Sequence, residues 1–390
     1  MKVANTRRVV EKLVQMMEIR QSASMVNIQI ANRIAEVSVI PYDVEKLRKE
    51  AIEIQTKMKY SNRECYSVDK IMLLLVVESL IYLPLVSQPQ VLNFFMNQIA
   101  AESKVFYIND FNENPYIKNI DFRESKLGDY ELRYNEYMPY ELMIYNIPKR
   151  IDKIHIDIPR VGCFTEKFKY PAIGQSSIQS TWMSVSPNEV FTMEKAINNA
   201  KGKVLTLGCG IGYFAYMASL KEEVESVTIV ELEQNVIDLF KTFILPQFEN
   251  KDKITIIKAD AIEYMSNIKD GEFDYCFADI WIGINDIVPY FAIKEIGRKL
   301  QKTKIDYWIE ESFANLLSGY IWIEILESFS KSNHVEVPEM DSSFGEDGLR
   351  KRKYIHRLMK NVEIKRPEDI DFYMNPKNII NLINKTKLIF

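Results

Sequence analysis

The 390-residue sequence is poor in histidine, sparing with cysteine and without an excess of basic charge. Its three histidines, His155, His334 and His356, lie far apart, so their spacing gives no zinc-like ligand cluster. The four cysteines, Cys65, Cys163, Cys209 and Cys276, have no paired spacing. That argues against a disulfide frame and fits free thiols in a reducing cytoplasm. A net charge of -4 argues against a nucleic-acid partner, which an electrostatic footprint would meet with a basic face. The best local exception, Lys351-Arg352-Lys353, reads as a solvated loop rather than a phosphate contact. No apolar signal core opens the chain. The most membrane-like stretch, 71–86, is short, carries Glu78 and breaks at Pro84; it reads as a buried helix, with no membrane partner.

A chain this long exceeds one ordinary core. Residues 1–104 read as a helical N-terminal domain: Val9, Leu13, Met16 and Met17 recur at helical spacing, and Pro41 opens a charged amphipathic run to Tyr60. Residues 105–150 read as an irregular connector crowded with Tyr130, Tyr134, Tyr137, Tyr140 and Tyr145, whose rings are expected to pack rather than line a pocket. Within it Asn114-Pro115-Tyr116 reads as a loop turn, since the N-P-P-Y signature of amino-methylating nucleic-acid enzymes needs a second proline. Short alternating stretches at 154–158, 162–164 and 182–185 suggest a β-hairpin unit over 151–190. Strands then alternate with helices from 191 to 310, the mark of a parallel sheet with crossover helices. Residues 311–390 read as a mostly helical extension.

What is present in place of those absences is a glycine turn. Val204-Leu205-Thr206-Leu207 reads as a short buried strand, Gly208, Gly210 and Gly212 follow at alternate positions, and Phe214, Met217 and Leu220 take up helical spacing. Glycine suits a sharp strand-to-helix bend that a ligand approaches without meeting a Cβ. The dinucleotide fingerprint G-x-G-x-x-G fails, because its third glycine falls on Tyr213, and no G-x-x-x-x-G-K-S/T phosphate loop occurs. Three further strands each lead to an acid. The run 227–230 ends on Glu231, placed to accept from both ribose hydroxyls. The run 254–257 leads to Asp260-Ala261, a side-chain acceptor beside a backbone amide, suited to an adenine edge. The run 273–278 ends on Asp279. Each acid alone fits a helix cap or a turn. In this order, at the carboxyl ends of consecutive strands, they mark a ligand edge.

With these motifs, residues 180–310 resemble the S-adenosylmethionine (SAM)-binding domain of class I methyltransferases, and most of all its spermidine synthase-like branch. The resemblance implies an α/β, Rossmann-like class I methyltransferase sheet with crossover helices, preceded by a small β-hairpin unit and a helical N-terminal domain. It implies SAM as cofactor, with Gly208, Gly210 and Gly212 under the methionine part, Glu231 on the ribose, and Asp260 and Ala261 on the adenine. Cys209 and Leu232 join that binding set, and Asp279 faces the reacting centre. Thr206 departs from the pattern, standing where many methyltransferases carry an acid for the cofactor's ammonium group. Of the D-E-x-x-Y-H-E and D-x-x-D-P segments of polyamine synthases, only Glu189, Glu194 and Asp279 survive. The tyrosine and second acid that would hold and deprotonate a polyamine are missing, which counts against aminopropyl transfer. No closing hairpin strands are visible after 305–309, so a truncated sheet is expected.

The implied activity is SAM-dependent methyl transfer to a small-molecule or protein acceptor. Such chemistry needs a nucleophile in line with the methyl group, water kept out, and a proton removed where necessary. Asp279 is the expected catalytic residue. Trp281 reads first as a packing residue; the functional alternative is that it walls the pocket or offers a ring face to the sulfonium. Two alternatives stand beside this reading: aminopropyl transfer from decarboxylated SAM, and a SAM-binding protein without catalysis whose helical N-terminal domain contacts a partner.

Overall fold

Five short runs, the first three dense in valine, isoleucine and leucine, become one parallel sheet: Gly202–Leu207 (β1), Val224–Glu231 (β2), Ile254–Lys258 (β3), Tyr275–Ala278 (β4) and Lys304–Tyr307 (β5). A computed structural model describes residues 1–37, 43–60, 65–80, 89–177, 179–333 and 345–386. Pro41, Pro84, His334 and the last four residues lie outside the described residues. The strand order is β3-β2-β1-β4-β5, with every neighbouring pair parallel. The fold is therefore α/β and Rossmann-like. Among the described residues no further strand joins this sheet after β5.

Register levels the carboxyl ends. Leu207 stands opposite both Val230 and Ala278. Just beyond, Gly208 N donates to the Val230 carbonyl (2.8 Å), Asp279 N to Leu207 (3.0 Å) and Trp308 N to Ala278 (2.9 Å). Strand order reverses between β1 and β4, and a crevice opens at such a reversal.

Alternation feeds a core on each face of the sheet, as a doubly covered parallel sheet requires. Leu205, Leu207, Val230, Cys276 and Ala278 pack with the helices Ile287–Gly297, Glu310–Asn333 and Glu346–Met359. Val204, Val227, Ile229, Tyr275 and Phe277 pack with Phe214, Tyr216, Val236 and Phe240 on the other face.

The sheet's neighbourhood differs from the sequence reading in three places. The helix Arg7–Val37 is shared between cores: Val9, Leu13 and Met16 join the C-terminal helices, whereas Ala23, Val26 and Ile30 pack with Met72, Val76, Phe95 and Cys163. Lys2–Val3 also pairs in parallel with Glu363–Ile364. The first residues thus belong with the C-terminal extension rather than to a separate 1–104 domain. Second, 105–150 is not an irregular connector. It supplies the strands Ser125–Leu127, Tyr130–Tyr137 and Met143–Ile151, woven with Ile156–Phe164, Phe168–Gln175 and Ser180–Ser184 into two small sheets. Residues 156–158 of the first stretch and 162–164 belong to one strand, Ile156–Phe164, while 154–155 lie in the turn before it; Gly162 leaves room for the Phe106 ring, 2.6 Å from where a Cβ would sit. Third, Lys351-Arg352-Lys353 lies in the helix Glu346–Met359, not a loop, and Lys351 is 3% exposed. Among the described residues no helix is long and apolar enough to cross a membrane.

Candidate active site

The bends after β1, β2, β3 and β4 wall a cavity of about 400 Å³, within the size range of small-ligand sites. Gly208, Cys209, Gly210, Glu231, Leu232, Asp260, Ala261 and Asp279 all line it. Gly212 stands outside its wall: with φ at +76°, a Cβ there would lie 2.3 Å from the Phe240 ring, so this glycine serves packing. Gly208 has φ at +97°, and a Cβ would come 2.2 Å from the Asp279 carbonyl oxygen. The close approach of β4's exit already demands glycine at that point.

Glu231, 8% exposed, organises the bends. Its Oε2 accepts from the Cys209 amide at 2.9 Å, and Oε1 accepts from the amides of Leu232 (2.8 Å) and Glu233 (2.9 Å). Oε2 keeps acceptor capacity for one further donor. Asp260 is a helix cap as well as a wall residue, its Oδ1 accepting from the Glu263 amide at 2.8 Å. The cap and the ligand position coincide. Thr206, also in the wall, donates from Oγ1 to the Gly208 carbonyl at 3.3 Å.

Asp279 is partly exposed and lines the cavity together with Glu189. Burial, with the like charge of Glu189 behind it, pushes the Asp279 carboxyl up from 3.8 to about 8. Glu189 is raised by burial, against hydrogen bonds from Ser184 Oγ (2.7 Å) and the Ser186 amide (2.9 Å). Cys209's thiol rises well above its ordinary value through burial and then the nearness of Glu231, which favours the neutral thiol over the thiolate. Among the described residues lining the cavity, five are carboxylic acids (Glu189, Glu231, Glu233, Asp260, Asp279) and none is lysine, arginine or histidine.

Aromatic and thioether side chains complete the walls, and most were not singled out from the sequence. Trp182 and Met183 come from Ser180–Ser184, Met193 from the helix Pro187–Asn199, and Trp308 from the exit of β5. Trp308 had a signal: it stands one residue past a strand's carboxyl end, as Asp279 does after β4. Glu189, which the sequence marks only as a survivor of a polyamine-synthase segment, also serves as the third residue of a capping box with Ser186. Trp281 is 4% exposed and packs edge-on to Tyr290 (5.9 Å) and Phe313 (5.5 Å), a core residue that also walls the cavity. Glu194 is exposed and lies outside the cavity lining. None of Tyr130, Tyr134, Tyr137, Tyr140 and Tyr145 lines the cavity.

The Asn114-Pro115-Tyr116 turn has a supporting role. Asn114 caps the helix Pro115–Asn119 and its Nδ2 donates to the Tyr213 hydroxyl at 3.0 Å; the fully buried Tyr116 donates its hydroxyl to the Ile211 carbonyl. This distant segment braces the glycine turn from outside the sheet. No spacing pattern signals such a brace, because only the fold brings 114–116 to 211–213.

Residues 189–295 match the family model described as the spermine/spermidine synthase domain. No curated protein sequence matches the chain. Among solved structures, the chain is similar to the spermidine synthase from Thermotoga maritima at 14% identity and a TM-score of 0.29, over 43% of this chain and 61% of that one. It is also similar to the Trypanosoma brucei PRMT1 enzyme-prozyme heterotetrameric complex with AdoHcy, at 20% identity and a TM-score of 0.24, over 29% of this chain and 36% of that one. The chain thus spans less than two thirds of either structure. Strand order and the glycine turn give the chain an α/β, Rossmann-like fold, and its residues 189–295 are similar to the spermine/spermidine synthase domain.

Proposed function

We propose that the cavity binds a SAM-type sulfonium donor and that the protein is a transferase passing a methyl group from it to a small-molecule or protein acceptor held against Asp279. The observation that carries this reading is the chemistry of the walls: five carboxylic acids, with Glu231, Glu233 and Asp260 beside the burial-raised Glu189 and Asp279, and among the described residues no lysine, arginine or histidine. A sulfonium is a permanent cation. A unit charge 4 Å from one carboxylate gains about 4 kcal/mol at an effective dielectric of 20, against about 0.5–2 kcal/mol from an aromatic face. The acids, not the tryptophans, therefore dominate recognition.

The bound donor would supply an electrophilic methyl carbon and a neutral thioether leaving group. The protein's own residues do the rest. Glu231 and the Asp260-Ala261 bend offer acceptors and an amide to a nucleoside, and the Gly208–Gly210 backbone lies open beside them. Trp182, Met183, Trp281 and Trp308 exclude water. Asp279, once ionised, accepts the proton that an amine nucleophile loses as its nitrogen–carbon bond forms; its raised pKa suits a base working near neutrality.

A second reading, aminopropyl transfer from decarboxylated SAM, has two observations in its favour: the similarity of 189–295 to the spermine/spermidine synthase domain and, among the described residues, no cationic side chain lining the cavity to meet a donor carboxylate. Against it, the polyamine-holding tyrosine and second acid are replaced by Thr192 and Ile282. Thr192 Oγ1 is engaged by the Asn188 carbonyl (2.8 Å) and Trp308 Nε1 (2.9 Å), and Ile282 is 86% exposed. Purified protein incubated with either donor and candidate amines, followed by mass spectrometry, separates the two, since methyl and aminopropyl additions differ in mass. Methylated product is expected. Binding of SAM without turnover on any acceptor would leave a binding protein, and failure to bind SAM, decarboxylated SAM or the demethylated product would overturn the donor reading.

A further inference from the structure

The loop 280–286, whose first three residues line the cavity, carries an unusual attachment. Ile280, Trp281 and Ile282 line the cavity, yet Ile282 and Ile284 are 86% and 39% exposed, so apolar burial holds the tip of this loop weakly. Inside the loop, Asp286 N donates to the Gly283 carbonyl at 2.9 Å, and Ile282 N reaches Asp286 Oδ2 at a long 3.4 Å. Outward, the Asn285 carbonyl accepts from Lys351 Nζ at 3.1 Å. Lys351 belongs to the helix Glu346–Met359, far along the chain in the C-terminal extension.

Lysine is among the residues least often fully buried, and this one is 3% exposed. Its ammonium is matched by Asp347 one helical turn earlier as well as by Asn285. Asp347's side chain is 54% exposed, so that ion pair alone would form equally well at the surface. The inward aim of Lys351 is explained by the carbonyl it meets. The helix is itself fixed, with Tyr354 against Phe291 at 4.2 Å and Arg352 paired with Glu327. A rigid element thus delivers one buried donor to the loop that forms a wall of the cavity.

We propose that Lys351 is a positioning residue through which the C-terminal helix Glu346–Met359 sets the mouth of the donor cavity. The inference rests on the cavity being the ligand site proposed above, but its first test does not. In ligand-free protein, Lys351→Met keeps the apolar stem and removes the donor. Hydrogen–deuterium exchange of the amides in 280–288 is expected to rise about tenfold, with β1–β4 unchanged. Lys351→Arg is expected to restore most of the protection, and Asp347→Asn, which leaves the lysine in place, to give a smaller rise in the same segment. Unchanged loop exchange in Lys351→Met, or an equal rise across the whole sheet, overturns the proposal. Should that variant not fold, absence of a loop-specific rise in Asp347→Asn overturns it instead. The second readout is donor affinity by calorimetry with SAM. A roughly tenfold weaker Kd in Lys351→Met, regained in Lys351→Arg, is expected, and in turnover the donor's KM should rise with kcat unchanged. Failure of the wild type to bind SAM counts against the donor reading alone, since the exchange result still decides the role of Lys351.

Discussion

Two concentrations of charge lie within this molecule, and they are built on opposite plans. In the cavity, acids gather, and among the described residues no cation lies with them. At the hairpin between Met143–Ile151 and Ile156–Phe164, charges are matched across three regions of the chain. Arg150, whose side chain is 6% exposed, pairs with Asp157 at 3.0 Å and donates to Ser318 Oγ (2.7 Å) and the Met374 carbonyl (3.1 Å). His155 meets Asp371 at 2.7 Å, Lys12 meets the same acid at 2.8 Å, and Arg20 donates to the His155 carbonyl. Charge balanced inside the chain is charge spent on holding it together. Charge left unbalanced in an enclosed space calls for a counter-ion from outside, since ionised groups out of water are costly alone.

The most severe break of the comparison is at Asp279. In Asp279→Asn the side chain keeps its shape and loses its capacity to take a proton, so kcat is expected to fall by about 10²–10⁴-fold, with SAM affinity changed far less. Steady-state kinetics beside calorimetry would check this. Undiminished turnover would remove Asp279 from the chemistry.

Next come two truncations that should behave as opposites. Arg150→Ala leaves Asp157, its side chain 27% exposed, without its ion-pair partner and frees Ser318 Oγ and the Met374 carbonyl; it is expected to cost about 1–3 kcal/mol of stability while leaving donor affinity intact. Glu231→Ala removes charge-assisted hydrogen bonds worth about 1.5–3 kcal/mol each, so SAM should bind at least roughly tenfold more weakly. Because Glu231 also holds three amides of the bends, some stability goes with it. Urea denaturation and calorimetry on both variants make the test, and equal loss of affinity in the two would erase the distinction.

The smallest effect is a pair of opposed pH slopes. Burial, reinforced by Arg150, lowers the pKa of His155 in spite of the Asp371 hydrogen bond. The unfolded chain then binds more protons, so stability drops as pH falls below about 6.5. Asp279 is the reverse. Its folded pKa of about 8 stands above its ordinary 3.8, the folded state binds more protons between them, and stability declines as pH rises toward 8. In ligand-free protein the decline from pH 6.5 to 8 should flatten in Asp279→Asn, read by urea midpoints across pH. A cationic donor should reverse it in the wild type.

Much of this layout was legible beforehand, and the illegible parts share a cause. β1 and β2 announce themselves through aliphatic density, and the glycine bend and terminal acids follow at fixed places because parallel register levels the strand ends. The Tyr130–Tyr137 strand conceals itself: its buried positions are Tyr130 and Leu132, and beyond them tyrosine, asparagine and glutamate alternate without aliphatic residues. The register of Ser180–Ser184, and with it the placing of Trp182 and Met183, is set by Phe168–Gln175, the strand that joins it to Tyr130–Tyr137. The bracing of the glycine turn by Asn114 and Tyr116, and the reach of Lys351 to Asn285, depend on pairs that sequence separation does not connect. Local pattern specifies what an element is. Which distant element supports it is decided only by packing.

The helix Arg7–Val37 bears on how the molecule comes apart. A rod whose two ends are planted in different hydrophobic cores couples their melting, since neither can dissolve without unseating its shared member. Denaturation should therefore run as a single cooperative step, and a fragment beginning after this rod would lose apolar cover from both of the bodies it once joined.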